Sequence, residues 1–277
     1  MVRFIEVTKV FPNGYIGLEN VSFEVGPGEL LYITGESGAG KTTLMRLLIR
    51  EFDPTAGEIF LGEQNILHLP RKNVPYHRRR IGVVFQDYQL IPDRTIFENA
   101  ALILEIMGTP LKQIRQRVAD VLDLVGLSDK GLLFPVQLSG GELQRAAIAR
   151  SLVTAPELLF ADEPTGNLDA ETAHGIMSLL KKIQDFGTTV LVATHDHDVI
   201  HDFPARFIEL HQGILVKDSQ NKGQEKDKSV ENIDKEKENK STKPAKSDKS
   251  QSDKEDKSDT ENKEESESPK QEKNARD

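Results

Sequence analysis

Two periods alternate along the chain. VRFIEV (2–7) and VSFEV (21–25) alternate large apolar and polar residues, with the turn residues Pro12, Asn13 and Gly14 between them. Period-two alternation predicts half-buried strands. LLYITG (30–35) is apolar almost without interruption, the pattern of a strand covered on both faces. KTTLMRLLIREF (41–52) sets Leu44, Met45, Leu47 and Leu48 at helical spacing. DPTAG (53–57) reads as a turn, EIFLG (58–62) as a strand and IGVVFQ (81–86) as a buried strand. From about 92 to 150 the period becomes helical: TIFENAALILEIMG, LKQIRQRVADVLDLVGL, and the segment after LSGG (138–141). Strands resume at LLFADEP (158–164) and TTVLVATH (188–195), with the helix AHGIMSLLKKIQDF (173–186) between them, and RFIELHQGILVKD (206–218) closes as a hairpin. Strands alternating with helices predict an α/β fold on a parallel sheet, with a small antiparallel β part and a helical subdomain at about 90–155. There is no internal repeat.

Composition changes this picture at one end. The last 57 residues, 221–277, carry 15 Lys and Arg against 17 Asp and Glu, no aromatic residue, and only Val230, Ile233, Ala245 and Ala275 as aliphatic residues. Such a segment buries too little apolar surface to offset its ordering entropy, so a disordered mixed-charge tail is expected there and an ordered domain over 1–220. The whole chain has a formal net charge of −9, of which −7 falls in residues 1–220. A mildly acidic folded part argues against nucleic acid as the partner. The absence of cysteine excludes disulfides and thiolate metal sites. The first residues do not read as a signal peptide, and no window reaches 18 uninterrupted apolar residues. Any membrane role is expected to need a partner.

The chemistry sits at the ends of the apolar strands. GESGAGKT (35–42) fits G-x-x-x-x-G-K-[ST] between a predicted strand and a predicted helix. Glycines let backbone N–H groups of residues 35–43 (Gly35, Glu36, Ser37, Gly38, Ala39, Gly40, Lys41, Thr42, Thr43) curl around phosphate oxygens, and the helix start adds positive potential. Lys41 is positioned to reach the β- and γ-phosphates, and the Thr42 hydroxyl to ligate Mg²⁺. LLFADEP ends in two carboxylates: Asp162 suits the shell of Mg²⁺ and Glu163 a general base acting on water. His195 ends TTVLVATH at the same sheet edge, a candidate γ-phosphate contact. Gln86 ends IGVVFQ there too, a candidate ligand for Mg²⁺ or the attacking water. Each of these residues alone reads as an ordinary strand-end turn; together they define one site.

LSGGE poses a separate question. Ser139, Gly140 and Gly141 make a second bare helix start, hence a second potential anion site. One chain already has a phosphate cradle. A second is explained if it covers the γ-phosphate held by another copy, so that two subunits sandwich two nucleotides about a two-fold axis.

This ordered set, GESGAGKT, Gln86, LSGGE, LLFADEP, NLDA (167–170) and His195, resembles the nucleotide-binding subunits of ATP-binding-cassette (ABC) systems over about residues 2–217. The resemblance implies a P-loop NTPase fold, ATP and Mg²⁺ as cofactors, and ATP hydrolysis. It implies that Phe11 stacks on adenine, with Tyr15 as a competitor, that Asp162 and Thr42 serve Mg²⁺, and that Glu163 is the catalytic carboxylate. Asp169 would lie in the loop linking the two sites of a homodimer, and the helical subdomain would touch a membrane partner. Within the family, SGAGKTTL, RRRIGVVFQDYQLIPDRTIFENAA (78–101) and ADEPTGNLDAET look most like the FtsE-type ATPases of cell division, which pair with an FtsX-type integral membrane protein at the cytoplasmic face of the cell membrane. Lipoprotein or peptide exporter ATPases are the alternative, and DNA-clamping ABC ATPases a more distant one, since they insert long coiled coils that this chain lacks. RKNVPYHRRR (71–80), the most basic stretch, reads as a solvated loop with acidic partners nearby.

Overall fold

The computed structural model describes residues 1–220; the predicted disordered tail, 221–277, lies outside the described residues. The elements in chain order are β1 (Val2–Val10), β2 (Ile16–Val25), β3 (Leu30–Thr34), α1 (Lys41–Leu48), β4 (Ala56–Leu61), β5 (Gln64–Asn65), α2 (Val74–Arg79), β6 (Ile81–Val84), α3 (Ile96–Ile106), α4 (Leu111–Leu124), α5 (Gly140–Leu152), β7 (Leu158–Asp162), α6 (Ala170–Asp185), β8 (Thr189–Ala193), α7 (His197–Asp202), β9 (Arg206–His211) and β10 (Ile214–Asp218). Among the described residues no helix is long and apolar enough to cross a membrane.

They form two sheets. β2-β1-β4-β5 is antiparallel, and β10-β9-β3-β8-β7-β6 is parallel except for its edge strand β10. Every residue of β3, β7 and β8 is buried, as uninterrupted apolar runs require of strands covered on both faces. Their side chains alternate between two cores. Leu30, Tyr32, Leu159, Ala161, Val190 and Val192 pack toward α3–α6, while Leu31, Ile33, Leu158, Phe160, Leu191 and Ala193 pack toward α1 and the antiparallel sheet. Tyr32 is fully buried, its hydroxyl donates to the Phe203 carbonyl at 2.8 Å, and burial pushes its pKa up to about 12. The consequence for function is directional. β3, β8, β7 and β6 are parallel neighbours, so the segments that follow them, starting at Gly35, Thr194, Glu163 and Phe85, all leave along one edge.

Two sequence expectations need correction. The helix expected over 41–52 stops at Leu48, because Arg50 takes a left-handed φ of 52°. The basic stretch expected to be a solvated loop contains helix α2, and the donors of His77 and Arg78 go to backbone rather than to acidic side chains. His77 Nε2 lies 2.7 Å from the Leu48 carbonyl, and Arg78 donates Nε to Ile49 O and Nη2 to Arg50 O, each at 3.0 Å. Helix C-termini leave carbonyls unsatisfied and favour cationic donors, so α2 caps α1. Among the described residues, Arg80 is the one of this stretch with an acidic partner, Glu157, at 2.7 and 2.9 Å.

His77 is buried and its Nδ1 has no partner among the described residues. Burial is the main cause that holds its pKa below the ordinary 6.5, opposed by the Leu48 bond and aided by Arg80, Arg50 and Arg78. The folded state therefore binds fewer protons than the unfolded chain, so stability is intact above about pH 6.5 and falls as the pH drops below it. Urea midpoints measured at pH 7.5 and 5.5 will show this loss in the parent and a smaller loss in His77→Gln, whose amide donates without titrating. An equal acid loss in both proteins assigns the effect elsewhere.

Candidate functional site

The loop after β3 is shaped by glycines that cannot be replaced. Gly35 has φ +139°, and a Cβ there would lie 2.3 Å from the Leu210 carbonyl of β9. Gly40, with φ +110°, forms the N-cap of α1, and its Cβ would meet Gly17 O at 2.7 Å. The loop is thus pressed against β9 and β2, and its N–H groups are turned away from the protein: those of Gly38, Gly40, Lys41 and Thr42 have no acceptor among the described residues. A concave row of free N–H groups at a helix start is an anion cradle. Lys41 folds back over it, donating Nζ to Gly35 O at 2.7 Å and Glu36 O at 3.2 Å, with Glu163 Oε1 at 3.4 Å.

The neighbouring strand ends supply the rest. Thr42 Oγ1 donates to Asp162 Oδ2 at 2.9 Å, and burial is the main cause that raises the Asp162 pKa, with the Glu163 charge adding to it and the Thr42 bond opposing it. Glu163 follows with φ +49° and donates its N–H to Ala193 O of β8, which turns its side chain toward β8's end. There His195 Nδ1 lies 3.0 and 2.9 Å from the two Glu163 carboxylate oxygens. One carboxylate is therefore held between a lysine and an imidazole, with an anion cradle beside it. These groups line a cleft of about 660 Å³ that also includes Gln86, Tyr15, Thr34 and Glu209. All nine residues from Gly35 to Thr43 line it, together with Gln86, Asp162, Glu163 and His195.

Four residues named from the sequence do not line this cleft. Phe11 is one. Its ring stacks on Tyr15 with centroids 5.9 Å apart and meets Phe52 edge-on at 5.4 Å. Tyr15 is the aromatic residue that lines the cleft, with its hydroxyl on Gly38 O at 3.1 Å. The others are Ser139, Gly140 and Gly141. They open α5 in a complete capping box: Ser139 Oγ accepts from Glu142 N and Ser139 N donates to Glu142 Oε2. Glu142 also pairs with Lys130, and these bonds pull its pKa down to about 2. The N–H groups of Gly140 and Gly141 find no acceptor among the described residues, and Ser139 and Gly140 are open to solvent.

Residues 18–166 match the family described as ABC transporter. The chain belongs to this family. The cell division ATP-binding protein FtsE of Bacillus subtilis is 45% identical over 218 residues, which is 79% of this chain and 96% of that protein. FtsE of Escherichia coli is 46% identical over 215 residues, 78% of this chain and 97% of that one. Among solved structures, the ATP-binding cassette MJ0796, dimeric and bound to ADP and Pi in a post-hydrolysis state, is 36% identical with a TM-score of 0.73, covering 81% of this chain and all of the other. This ABC chain is accordingly an ATP-binding ATPase with the P-loop NTPase fold.

The two glycines of α5 differ in their surroundings. A Cβ on Gly140 would make ordinary contact with Leu168 at 3.5 Å, whereas one on Gly141 would fall 2.4 Å from Thr172 Cγ2. Thr172 cannot turn away freely, because Oγ1 donates to Asp169 Oδ2 at 2.7 Å and its N–H to Oδ1 at 3.0 Å. Gly141→Ala is expected to cost about 1–3 kcal/mol by overpacking, against at most about 0.5 kcal/mol for Gly140→Ala. Thermal unfolding of the two variants measures the difference; equal stabilities contradict the pinned Thr172.

Proposed function

We propose that this ABC ATPase is the hydrolytic subunit of an FtsE/FtsX-like complex, working as a homodimer beneath an integral membrane partner at the cytoplasmic face of the cell membrane. Its use would be to regulate cell-wall hydrolysis during division. The near-full-length similarity to cell division ATP-binding proteins supports this use. In this reading residues 1–220 are the ATPase domain and about 90–155 its helical subdomain. The exposed apolar residues Ile106, Met107 and Leu111, where α3 hands over to α4, give that subdomain a surface for the partner.

The residue roles follow from the site. The free N–H groups of Gly38, Gly40, Lys41 and Thr42 hold the phosphates, and Lys41 moves from its carbonyl partners onto the β- and γ-phosphate oxygens. The adenine would stack on the pair of Phe11 and Tyr15, whose rings stack on each other and of which Tyr15 lines the cleft. Thr42, Gln86 and Asp162 offer the hard oxygen donors that Mg²⁺ prefers, and their proximity at the end of β3, β6 and β7 fits that ion, which neutralises phosphate charge when bound. Once Lys41 has left it, the Glu163 carboxylate takes a proton from the water attacking the γ-phosphorus, as the bond to the β–γ bridging oxygen breaks. His195 orients Glu163 and reaches the γ-phosphate, and Gln86 holds the water.

The observation that carries the dimer is the direction of α5. Its serine and glycines are outside the cleft of their own chain; Ser139 and Gly140 are solvent-open, and the N–H groups of Gly140 and Gly141 have no acceptor among the described residues. In a two-fold dimer, Ser139, Gly140 and Gly141 would close over the γ-phosphate bound by the partner, and Asp169 would lie in the loop joining the two sites. Glu163→Gln is expected to slow hydrolysis by at least about a hundredfold while leaving ATP bound. Size-exclusion chromatography with ATP will then show a persistent dimer. Hydrolysis at the parent rate would remove Glu163 from its role, and a strictly monomeric ATP-bound variant would remove the dimer.

A further inference from the structure

Gln86 lies two residues beyond the end of β6, on an exposed loop, so its position is set by what holds that loop. The backbone there is unusual. Tyr88 and Gln89 are both left-handed, with φ of 59° and 48°. Residues other than glycine enter this region singly and at a cost, so two in succession persist only where surroundings over-determine them. Among the described residues the loop's own backbone supplies two bonds at this turn, Tyr88 N–H to Phe85 O at 3.2 Å and Gln89 N–H to Asp87 O at 2.6 Å, with a third farther on, Arg94 N–H to Ile91 O at 3.3 Å.

The over-determining group is Arg150. Its Nη2 donates to Tyr88 O at 2.8 Å and its Nη1 donates to Gln89 O. One planar guanidinium thus binds the carbonyls of both left-handed residues, a geometry that a lysine cannot reproduce. Burial lowers the Arg150 pKa, opposed by the charge of Asp87, which marks the group as withdrawn from water toward the loop. Arg150 stands in the last turn of α5, the helix that Ser139 caps and Gly140 opens. The Tyr88 side chain packs against the core that contains α5, and its phenolic oxygen lies 3.6 Å from the point a Gly140 Cβ would occupy. The loop is therefore bonded to the last turn of α5 through Arg150, while the Tyr88 side chain reaches the first turn of the same helix, about 15 Å away.

We propose that Arg150 is a positioning residue for Gln86: it clamps the left-handed turn at Tyr88 and Gln89 and so makes the Gln86 loop and α5 one mechanical unit. The proposal rests on the role of Gln86 toward Mg²⁺ and water given above. Its consequence is geometric. Gln86 serves the nucleotide held by its own chain, while the start of α5 serves the nucleotide of the partner. A clamp between them carries displacement at one site to the other.

The test compares Arg150→Met, Arg150→Lys and Gln86→Ala with the parent, each as the full chain, by steady-state ATPase kinetics, Mg²⁺ titration, nucleotide affinity and amide hydrogen exchange. Arg150→Met is expected to raise exchange at 86–91 with residues 140–152 still protected. Its kcat should fall between about tenfold and a hundredfold, as a displaced catalytic group costs. The Mg²⁺ requirement should rise as it does in Gln86→Ala, and ATP affinity should stay within about twofold because the phosphate cradle is untouched. Arg150→Lys should fall between the two, and it carries the same readouts if Arg150→Met does not fold. Unchanged exchange at 86–91 overturns the clamp. So does raised exchange with parental kcat and Mg²⁺ dependence while Gln86→Ala is impaired. A silent Gln86→Ala would instead sink the role of Gln86, and the positioning role with it.

Discussion

A backbone N–H at a helix start must find an acceptor, and two glycine-headed helix starts find none among the described residues. The first, at Gly40–Thr42, points into its own cleft. The second, at Gly140–Gly141, does not. Most of what the protein does follows from that difference in direction. The first start explains why an anion binds to the single chain. The second explains why a single chain is an incomplete enzyme in the account proposed for it. The capping box spends Ser139 Oγ and the Glu142 carboxylate on each other's N–H groups, yet leaves the glycine N–H groups free.

The parallel sheet makes the first site possible. β3, β8, β7 and β6 bury every or nearly every side chain, and their alternating residues divide between two cores. Fixed strands with one shared direction bring Lys41, His195, Asp162 and Gln86 to the same edge from positions more than 150 residues apart in sequence. That edge is internally paired: Lys41 sits on loop carbonyls beside Glu163, and Glu163 faces His195. The lysine that would bind phosphate is thus also the cation that holds the base. Beyond the cleft, Thr172 is bonded to Asp169 beside Gly141 at the start of α5, and Arg150 in the last turn of α5 binds the Tyr88 carbonyl of the loop that carries Gln86.

Much of this was legible in the chain. Uninterrupted apolar runs ending in GESGAGKT, DEP and THD place chemistry at strand ends, because the burial pattern and the motif are both local. The residues that could not be read are those whose meaning comes from tertiary contact. His77 and Arg78 look like part of a solvated charge run, but their donors meet carbonyls of a helix about 30 residues earlier. Tyr15 lines the cleft and Phe11 packs behind it, a distinction set by how the turn after β1 folds onto the loop at Gly38. Arg150 is one of two arginines in α5, and nothing in its spacing announces two left-handed carbonyls 61 and 62 residues away. The left-handed turn itself carries no glycine, the usual sign of such a conformation.

The central claim is that each hydrolytic centre takes its phosphate cradle from one chain and its closing helix start from another. Complementation between two inactive variants tests it most directly. Lys41→Ala abolishes the cradle and Ser139→Arg blocks the helix start, so each protein alone should be inactive. Mixed in equal amounts, half of the dimers are heterodimers with one intact composite centre, and about a quarter of the parent activity should return. If heterodimers form and no activity returns, or if Ser139→Arg alone hydrolyses ATP at the parent rate, the shared centre is contradicted.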